Sequence, residues 1–297
     1  MLSDTSTPDQ ERSVVLFVIG TQKGGTTFLR HLLFQHPNLG TKSVSGSPLE
    51  AHFWPRTWTR NETIGETQQR EIADLAIGAS IKPQAKHLFD TTPDYLAQLD
   101  GAVIQRIRIT APLASAVAVL RDPTERLVSA IAMTACALGT LQNQCLQTGK
   151  IWQRIPRSAD ATPPTDWTFQ YGLYARHLER WRRGGFHVRV FFSEDLKRYP
   201  LDTVNAILAI AGLCPLNHID VSVTKPVAQE RCKFALCGAP ARIDIEAQAR
   251  QHCEQLHNLY APENMRLARI TQSMIPLAWS TCDHKNKSRV LRAPEAL

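Results

Sequence analysis

The stretch VVLFVIGTQKGGTTFLRHLLFQHP, Val14 to Pro37, decides the fold. Apolar residues run from Val14 to Ile19 and stop at Gly20, which predicts a central strand buried on both faces. Residues 27–35 then place apolar side chains at helical spacing, and Pro37 ends the helix. Between strand and helix lies the glycine-rich turn GTQKGGTT (20–27), a pattern typical of a phosphate-binding loop.

This turn is expected to bind an anion through backbone N–H groups and the helix dipole. The residues expected to contribute are Gln22, Lys23, Gly24, Gly25, Thr26 and Thr27. In nucleotide triphosphatases the loop lysine follows the second glycine, where Thr26 stands here, so the pattern disfavours a P-loop kinase. Lys23 lies inside the turn instead and can reach over the phosphate toward the transferred group. The alternative is a tight turn with a solvated lysine.

Further along the chain, apolar runs at 114–120 and 187–192 predict two more buried strands. Helices are predicted over DPTERLVSAIAMTA, with Pro123 in its first turn, and over residues 170–183. The C-terminal region predicts one helix that breaks at Pro262 and another after it. Residues 38–66 and 139–168 show no clear periodicity. The alternation predicts an α/β fold, P-loop-like and three-layered, with a central, mostly parallel sheet flanked by helices.

Composition indicates a globular protein of 297 residues with an anionic ligand, since the net charge is +7. Scattered basic residues and 7% aromatics argue against nucleic acid. The sequence has no 18-residue apolar run and no signal-peptide core, so we expect no membrane association and a cytoplasmic location. We also expect a disordered N-terminal tail over residues 1–12 and a single domain over residues 13–297. Seven cysteines indicate reduced thiols, although Cys232 and Cys237 are close enough to bridge a short loop if oxidised.

A second basic motif is VLRDPTERLVSAI, 119–131. Arg121 leaves a predicted strand at the carboxyl edge of the sheet, where ligands bind, and Ser129 follows two turns into the helix, so the pair can hold a second phosphate. The alternative is local pairing of Arg121 with Asp122 or Glu125. Five arginines also occur in 176–189, and a solvated helix face is the preferred interpretation over an anionic-acceptor site.

Together these motifs resemble the sulfotransferases that use 3′-phosphoadenosine 5′-phosphosulfate (PAPS), within the heparan sulfate and bacterial branch. The resemblance also includes EAHFW, FDTTPDYL and YAPENMRL. It implies PAPS as the donor, 3′-phosphoadenosine 5′-phosphate (PAP) as the product, and no metal. Lys23 would stabilise the departing phosphate, Arg121 and Ser129 would bind the 3′-phosphate, and Arg242 approximately matches a further nucleotide-binding position.

The resemblance aligns Glu50 with the base that deprotonates the acceptor hydroxyl, and His52 is the rival base or an orienting group. Thr91 stands where heparan sulfate enzymes have a lysine, and their membrane anchor is not found, so heparan sulfate is not the expected acceptor. The expected acceptor is a hydroxyl or amine of a small molecule or glycan, bound by residues 38–66 and 139–168. A non-catalytic nucleotide- or carbohydrate-binding protein is the remaining alternative. The oligomeric state is not readable from the sequence.

Overall fold

The computed structural model describes residues 13–41, 82, 85–137, 152, 154–155, 166–222, 247–276 and 279. The strands are β1 (Ser13–Gly20), β2 (Leu39–Thr41), β3 (His87–Asp90), β4 (Ser115–Leu120) and β5 (Val188–Phe192). The helices are α1 (Thr26–Leu33), α2 (Tyr95–Gln98), α3 (Gly101–Thr110), α4 (Pro123–Ala137), α5 (Trp167–Gln170), α6 (Tyr174–Arg183), α7 (Ser193–Arg198), α8 (Pro200–Ile210) and α9 (Cys253–Thr271).

The five strands form one parallel sheet in the order β2-β3-β1-β4-β5. The strand predicted from the opening stretch is central, because β1 pairs with β3 on one side and with β4 on the other. The carboxyl ends of these three strands therefore meet at one edge of the sheet, where ligands bind in α/β proteins of this kind.

Alternate side chains of β1 build the cores on the two faces of the sheet. Phe17 and Ile19 belong to a buried cluster with residues of α2, α3 and α6. Leu16 and Val18 belong to a second cluster with residues of α1 and α8. All four are inaccessible to solvent, because helices cover both faces of the strand. The predicted three-layer α/β fold is therefore confirmed.

The two remaining strands were not predicted from the sequence. β2 lies within the unpatterned region 38–66, and β3 ends in the first two residues of the FDTTPDYL motif. They contain three and four residues, which is too short for a periodic signal to stand out. Their pairing with each other and with β1 stabilises them as strands.

The helix predicted over residues 170–183 is divided in two. α5 ends at Gln170 and α6 begins at Tyr174, with a turn between them. Gly172 occupies this turn, and a Cβ atom there would lie 2.7 Å from the ring of Tyr260 on α9. The turn is thus shaped by close packing against a distant helix, which the local sequence pattern does not reveal.

The predicted helix break at Pro262 is wrong, because α9 continues through this residue. Proline interrupts a helix by removing one hydrogen bond and crowding the preceding turn. Pro262 faces solvent, whereas Tyr260, Glu263 and Leu267 on the other side of α9 are buried. Burial of that side outweighs the local cost of proline.

Two cysteines can be compared with the expectation of reduced thiols. Cys214 is an exposed free thiol, as expected. Cys253, at the start of α9, is disulfide-bonded, so the expectation fails at this position. Cys232 and Cys237 lie outside the described residues. Among the helices that the structure describes, none combines the length and the hydropathy needed to cross a membrane.

Candidate active site

The glycine-rich turn joins β1 to α1 in a conformation that leaves the start of the helix uncapped by side chains. Gly25 is the N-cap of α1 and has φ +103°, in the region that favours glycine. Lys23 also has a positive φ, +68°, which is uncommon for a residue with a side chain. As a glycine, Gly25 has no side chain that could cap the N-terminus of α1. Backbone N–H groups at a helix start attract anions, so this geometry suits a phosphate.

Gly24 fixes the turn against the neighbouring strand. A Cβ atom at this position would lie 2.4 Å from the carbonyl oxygen of Val119, which is far too close. The amide of Thr21 donates a hydrogen bond of 2.8 Å to the same oxygen. The phosphate loop is therefore built on the end of β4, two residues before Arg121.

The polar side chains of the loop differ in their environments. Lys23 is partly exposed, Thr27 is exposed and Thr26 is buried. The side-chain oxygen of Gln22 is buried and has no hydrogen-bond partner among the described residues. An uncompensated buried polar atom is costly unless a ligand or water satisfies it, which is consistent with a binding loop.

Arg121 lies at the same sheet edge and is paired with a carboxylate. Its Nε and Nη2 atoms donate to Oε2 of Glu125 at 3.2 and 3.0 Å, so the local ion pair considered from the sequence is present. Glu125 and Ser129 are four residues apart on α4 and thus share one face of the helix. Pairing with Glu125 therefore brings Arg121 to the face that carries Ser129.

The backbone of Arg121 is also held in position. The buried hydroxyl of Tyr174 on α6 donates a hydrogen bond of 2.8 Å to the carbonyl oxygen of Arg121. Burial raises the pKa of this phenol far above its usual range, so the hydroxyl remains a donor at physiological pH. The arginine that follows β4 thus has both its backbone and its guanidinium held in place.

The turn after β3 also lies against the phosphate loop. From the sequence, this turn was recognised only as part of the family resemblance. The carboxylate of Asp90 is buried and accepts hydrogen bonds of 2.8 Å from the hydroxyls of Thr92 and Tyr95. A Cβ atom on Gly20 would lie 3.2 Å from the carbonyl oxygen of Pro93. The Asp90 network therefore holds this turn close to the beginning of the phosphate loop.

The arginine-rich segment 176–189 is not simply a solvated helix face. Arg176 forms an ion pair of 3.1 Å with Glu263 of α9. Arg180 donates to two backbone carbonyls of α2. Glu179, which lies among these arginines in the sequence, pairs with Arg266. These contacts join α6 to two other helices, and this long-range packing has no signal in the local sequence.

Three predicted site residues and one predicted region cannot be compared with the structure. Glu50, His52 and Arg242 lie outside the described residues, as does most of the region 139–168. Thr91, the position that departs from the heparan sulfate pattern, is described and is buried. The structure thus brings together the phosphate loop, Arg121 and the helix face with Ser129, while the residues proposed to act on the acceptor stay a prediction.

A parallel α/β sheet whose carboxyl edge carries a phosphate loop and a nearby arginine defines a P-loop-like, nucleotide-binding class of protein. Residues 15–225 match the family model of the sulfotransferase domain. This match covers more than half of the chain, and the chain belongs to the sulfotransferase family. The resemblance seen in the sequence to the PAPS-dependent superfamily is confirmed.

Two human relatives illustrate the similarity. Heparan sulfate glucosamine 3-O-sulfotransferase 3B1 is 25% identical over 278 residues, which cover 86% of this chain and 62% of the relative. Heparan sulfate glucosamine 3-O-sulfotransferase 6 is 25% identical over 282 residues, covering 90% of this chain and 74% of the relative. The chain thus spans about three-fifths of the length of the first of these relatives.

A solved bacterial structure shares the fold. The sulfotransferase from Alicyclobacillus acidocaldarius superposes with a TM-score of 0.58 at 21% sequence identity. The superposition covers 93% of this chain and 100% of the bacterial one. The α/β architecture is therefore that of a sulfotransferase.

Proposed function

We propose that this protein transfers a sulfuryl group from PAPS to a hydroxyl or amine of a small molecule or glycan. One observation supports this proposal most strongly: the phosphate loop packs against the end of β4. Through the contacts of Thr21 and Gly24 with Val119, the loop and Arg121 form two cationic or donor-rich positions on one sheet edge. A nucleotide with separate 5′ and 3′ phosphates needs two such positions.

The donor, when bound, supplies the sulfuryl group and leaves as PAP. The uncapped N-terminus of α1 and the loop amides are proposed to bind the 5′-phosphate, and Lys23 to stabilise the negative charge that develops there. Arg121 and Ser129 are proposed to bind the 3′-phosphate, with Arg242 as a further contact. Because Arg121 is already paired with Glu125, binding is expected to share the guanidinium between the carboxylate and the phosphate.

The proposed base is Glu50, which would remove the proton from the acceptor. Burial beside Phe53 and Trp54 would raise the pKa of its carboxyl and make it a stronger base. His52 is the alternative base, because the ordinary pKa of histidine is close to neutrality. A kinase is disfavoured, since Thr26 is buried at the position where that chemistry requires a lysine.

The acceptor class is proposed more broadly than that of the relatives. Their names identify heparan sulfate glucosamine as the acceptor, which supports a glycan here. Thr91 in place of a lysine argues against heparan sulfate itself. Metal independence, a cytoplasmic location and a single domain over 13–297 also stay predictions.

The donor assignment is tested by thermal unfolding with PAP and with ATP, each with and without magnesium. A ligand at one hundred times its dissociation constant stabilises a protein by about 2.7 kcal/mol, which is readily measured. We expect PAP to raise Tm without magnesium and ATP to do much less. Equal shifts with ATP, or a shift that requires magnesium, would contradict the assignment. The acceptor is then sought by incubating protein and PAPS with a metabolite extract and detecting sulfuryl adducts by mass spectrometry.

A further inference from the structure

A cavity of about 450 Å³ lies between α2, α5 and α6. Three arginines of α6 line it, Arg176, Arg180 and Arg183, together with the aromatic residues Trp167 and Tyr171 around α5. Its volume lies in the range of small-molecule sites. Ala97 of α2 also lines the cavity, and the adjacent Leu96 packs against Gly20 at the start of the phosphate loop.

The positive charge of this cavity is only partly compensated. Arg176 is paired with Glu263, whose carboxylate is buried. Arg180 and Arg183 have no carboxylate within ion-pair distance among the described residues. Desolvation lowers the pKa of the Arg180 guanidinium, Asp100 opposes this shift, and the neighbouring charge of Arg183 adds to it. The charge of an anion bound between these arginines would offset both the cost of desolvating Arg180 and its repulsion with Arg183.

Arg180 is held in position before any ligand binds. Its Nη2 atom donates to the carbonyl oxygens of Leu96 and Ala97 at 3.1 and 2.8 Å. The same atom lies 3.0 Å from Nδ1 of His177, and Nε2 of His177 lies 2.8 Å from the carbonyl oxygen of Gln170. Burial lowers the pKa of His177 to about 4, so the ring is neutral at physiological pH and Nδ1 accepts from the arginine.

One N–H group of the Arg180 guanidinium has no hydrogen-bond partner in this arrangement of the described residues. Its Nε atom is buried and has no hydrogen-bond partner among the described residues. Buried N–H groups of charged side chains nearly always have a partner, because the cost of leaving one unsatisfied is large. The cavity is therefore lined by the fixed guanidinium of Arg180 and by the exposed Arg183.

The aromatic wall gives the cavity a flat apolar surface. Trp167 and Tyr171 pack edge to face, with ring centroids 5.5 Å apart and an interplanar angle of 69°. Trp167 is 41% exposed, so part of its ring is available to a ligand. An exposed tryptophan beside arginines favours a ring that carries a negative charge, since the ring stacks while the charge meets the guanidinium groups.

We propose that this cavity binds a small molecule in which a carboxylate or sulfate is attached to a ring, either an aromatic acid or a sugar acid. The anion would lie at Arg180 and Arg183, and the ring would stack on Trp167. Identifying this ligand as the anchored part of the acceptor rests on the proposed sulfuryl transfer, whereas binding itself does not.

The test is titration of the full chain with benzoate and with glucuronate, followed by saturation-transfer NMR and calorimetry. Benzamide and methyl glucoside serve as uncharged counterparts. At least one acid is expected to bind at least tenfold more tightly than its uncharged counterpart. Binding of benzoate alone identifies an aromatic acid, and binding of glucuronate alone identifies a sugar acid. If neither acid binds more tightly than its counterpart, the proposal is wrong.

Variants then locate the site. Arg183→Gln is expected to weaken binding of the acid at least tenfold, and Trp167→Ala to weaken it several-fold. Arg189→Gln removes an arginine of β5 that is also exposed but does not line the cavity, and it should leave binding unchanged. An unaffected Arg183→Gln, or equal losses in both arginine variants, would overturn the proposal by showing binding elsewhere or general charge attraction.

A parallel titration with PAP separates this proposal from the proposed function. If the acid binds and PAP does not, the cavity is supported and sulfuryl transfer is in doubt. If PAP binds and neither acid does, the cavity assignment fails and the donor site stands.

Discussion

Replacing Gly24 by alanine should damage the phosphate loop far more than its single methyl group suggests. The new Cβ would lie 2.4 Å from the carbonyl oxygen of Val119 and 2.9 Å from that of Thr21. An ordinary carbon–oxygen contact needs about 3.3 Å or more, so the loop must move by roughly 1 Å. Both obstacles are backbone atoms, which cannot rotate away.

The displacement has a calculable cost. Moving the loop by about 1 Å would stretch the hydrogen bond from Thr21 to Val119 from 2.8 Å beyond the range in which such bonds persist. Losing that bond costs about 0.5–1.5 kcal/mol, and overpacking adds about 1–3 kcal/mol. Donor binding should suffer as well, since losing one charge-assisted hydrogen bond of about 1.5–3 kcal/mol lowers affinity at least tenfold.

The assay is thermal unfolding combined with calorimetric titration of PAP. Gly101→Ala is the matched control, because a Cβ at Gly101 would meet nothing within 4 Å. We expect Gly24→Ala to lower both Tm and the affinity for PAP, and Gly101→Ala to change neither appreciably. If Gly24→Ala retains the wild-type affinity for PAP while Tm falls, the loop does not hold the donor.

The remaining predictions concern the donor, the chemistry and the C-terminal helix. Arg121→Ala should weaken PAP binding by about 1.5–3 kcal/mol in calorimetry, with little effect on turnover at saturating donor; unchanged affinity would make Arg121 structural. Lys23→Ala should slow transfer to every acceptor by about 10²–10³ in kinetic assays, because it stabilises the leaving phosphate. Glu50→Gln should slow transfer by about 10²–10⁴ for acceptors of high pKa and much less for acidic phenols; an active Glu50→Gln beside an inactive His52→Ala would make histidine the base. Pro262→Ala should raise the free energy of unfolding by up to about 3 kcal/mol in denaturant titrations, and a loss of stability would show that the proline has a packing role.

The fold was predictable from the sequence where local pattern and tertiary burial agree. The apolar run before Gly20 identified β1, and its uniform hydrophobicity reflected helices on both faces of the sheet. Pro123 similarly marked the first turn of α4. Short or context-dependent elements were not predictable, since β3 depends on pairing with β1 and α9 continues through Pro262 because its inner side is buried.

The same distinction applies to the candidate site. The phosphate loop and Arg121 were recognisable because glycine and arginine have specific roles beside phosphates. The sequence did not indicate that Glu125 pairs with Arg121 or that Tyr174 fixes its backbone, because these contacts depend on how α4 and α6 pack. The cavity beside α6 was missed for the same reason, since it exists only where three helices meet.

The hydrogen bond from Thr21 to Val119 also has a consequence for folding. The glycine-rich sequence is synthesised before β4, the strand that supports it, and almost a hundred residues separate the two. A nascent chain that ends before β4 therefore carries the residues of the loop without the surface that shapes it. Contacts between distant segments form late in folding, because closing the intervening chain costs entropy. The protein would then bind nucleotide only after β4 pairs with β1. The rate at which PAP binding recovers during refolding would therefore report the rate at which the central sheet assembles.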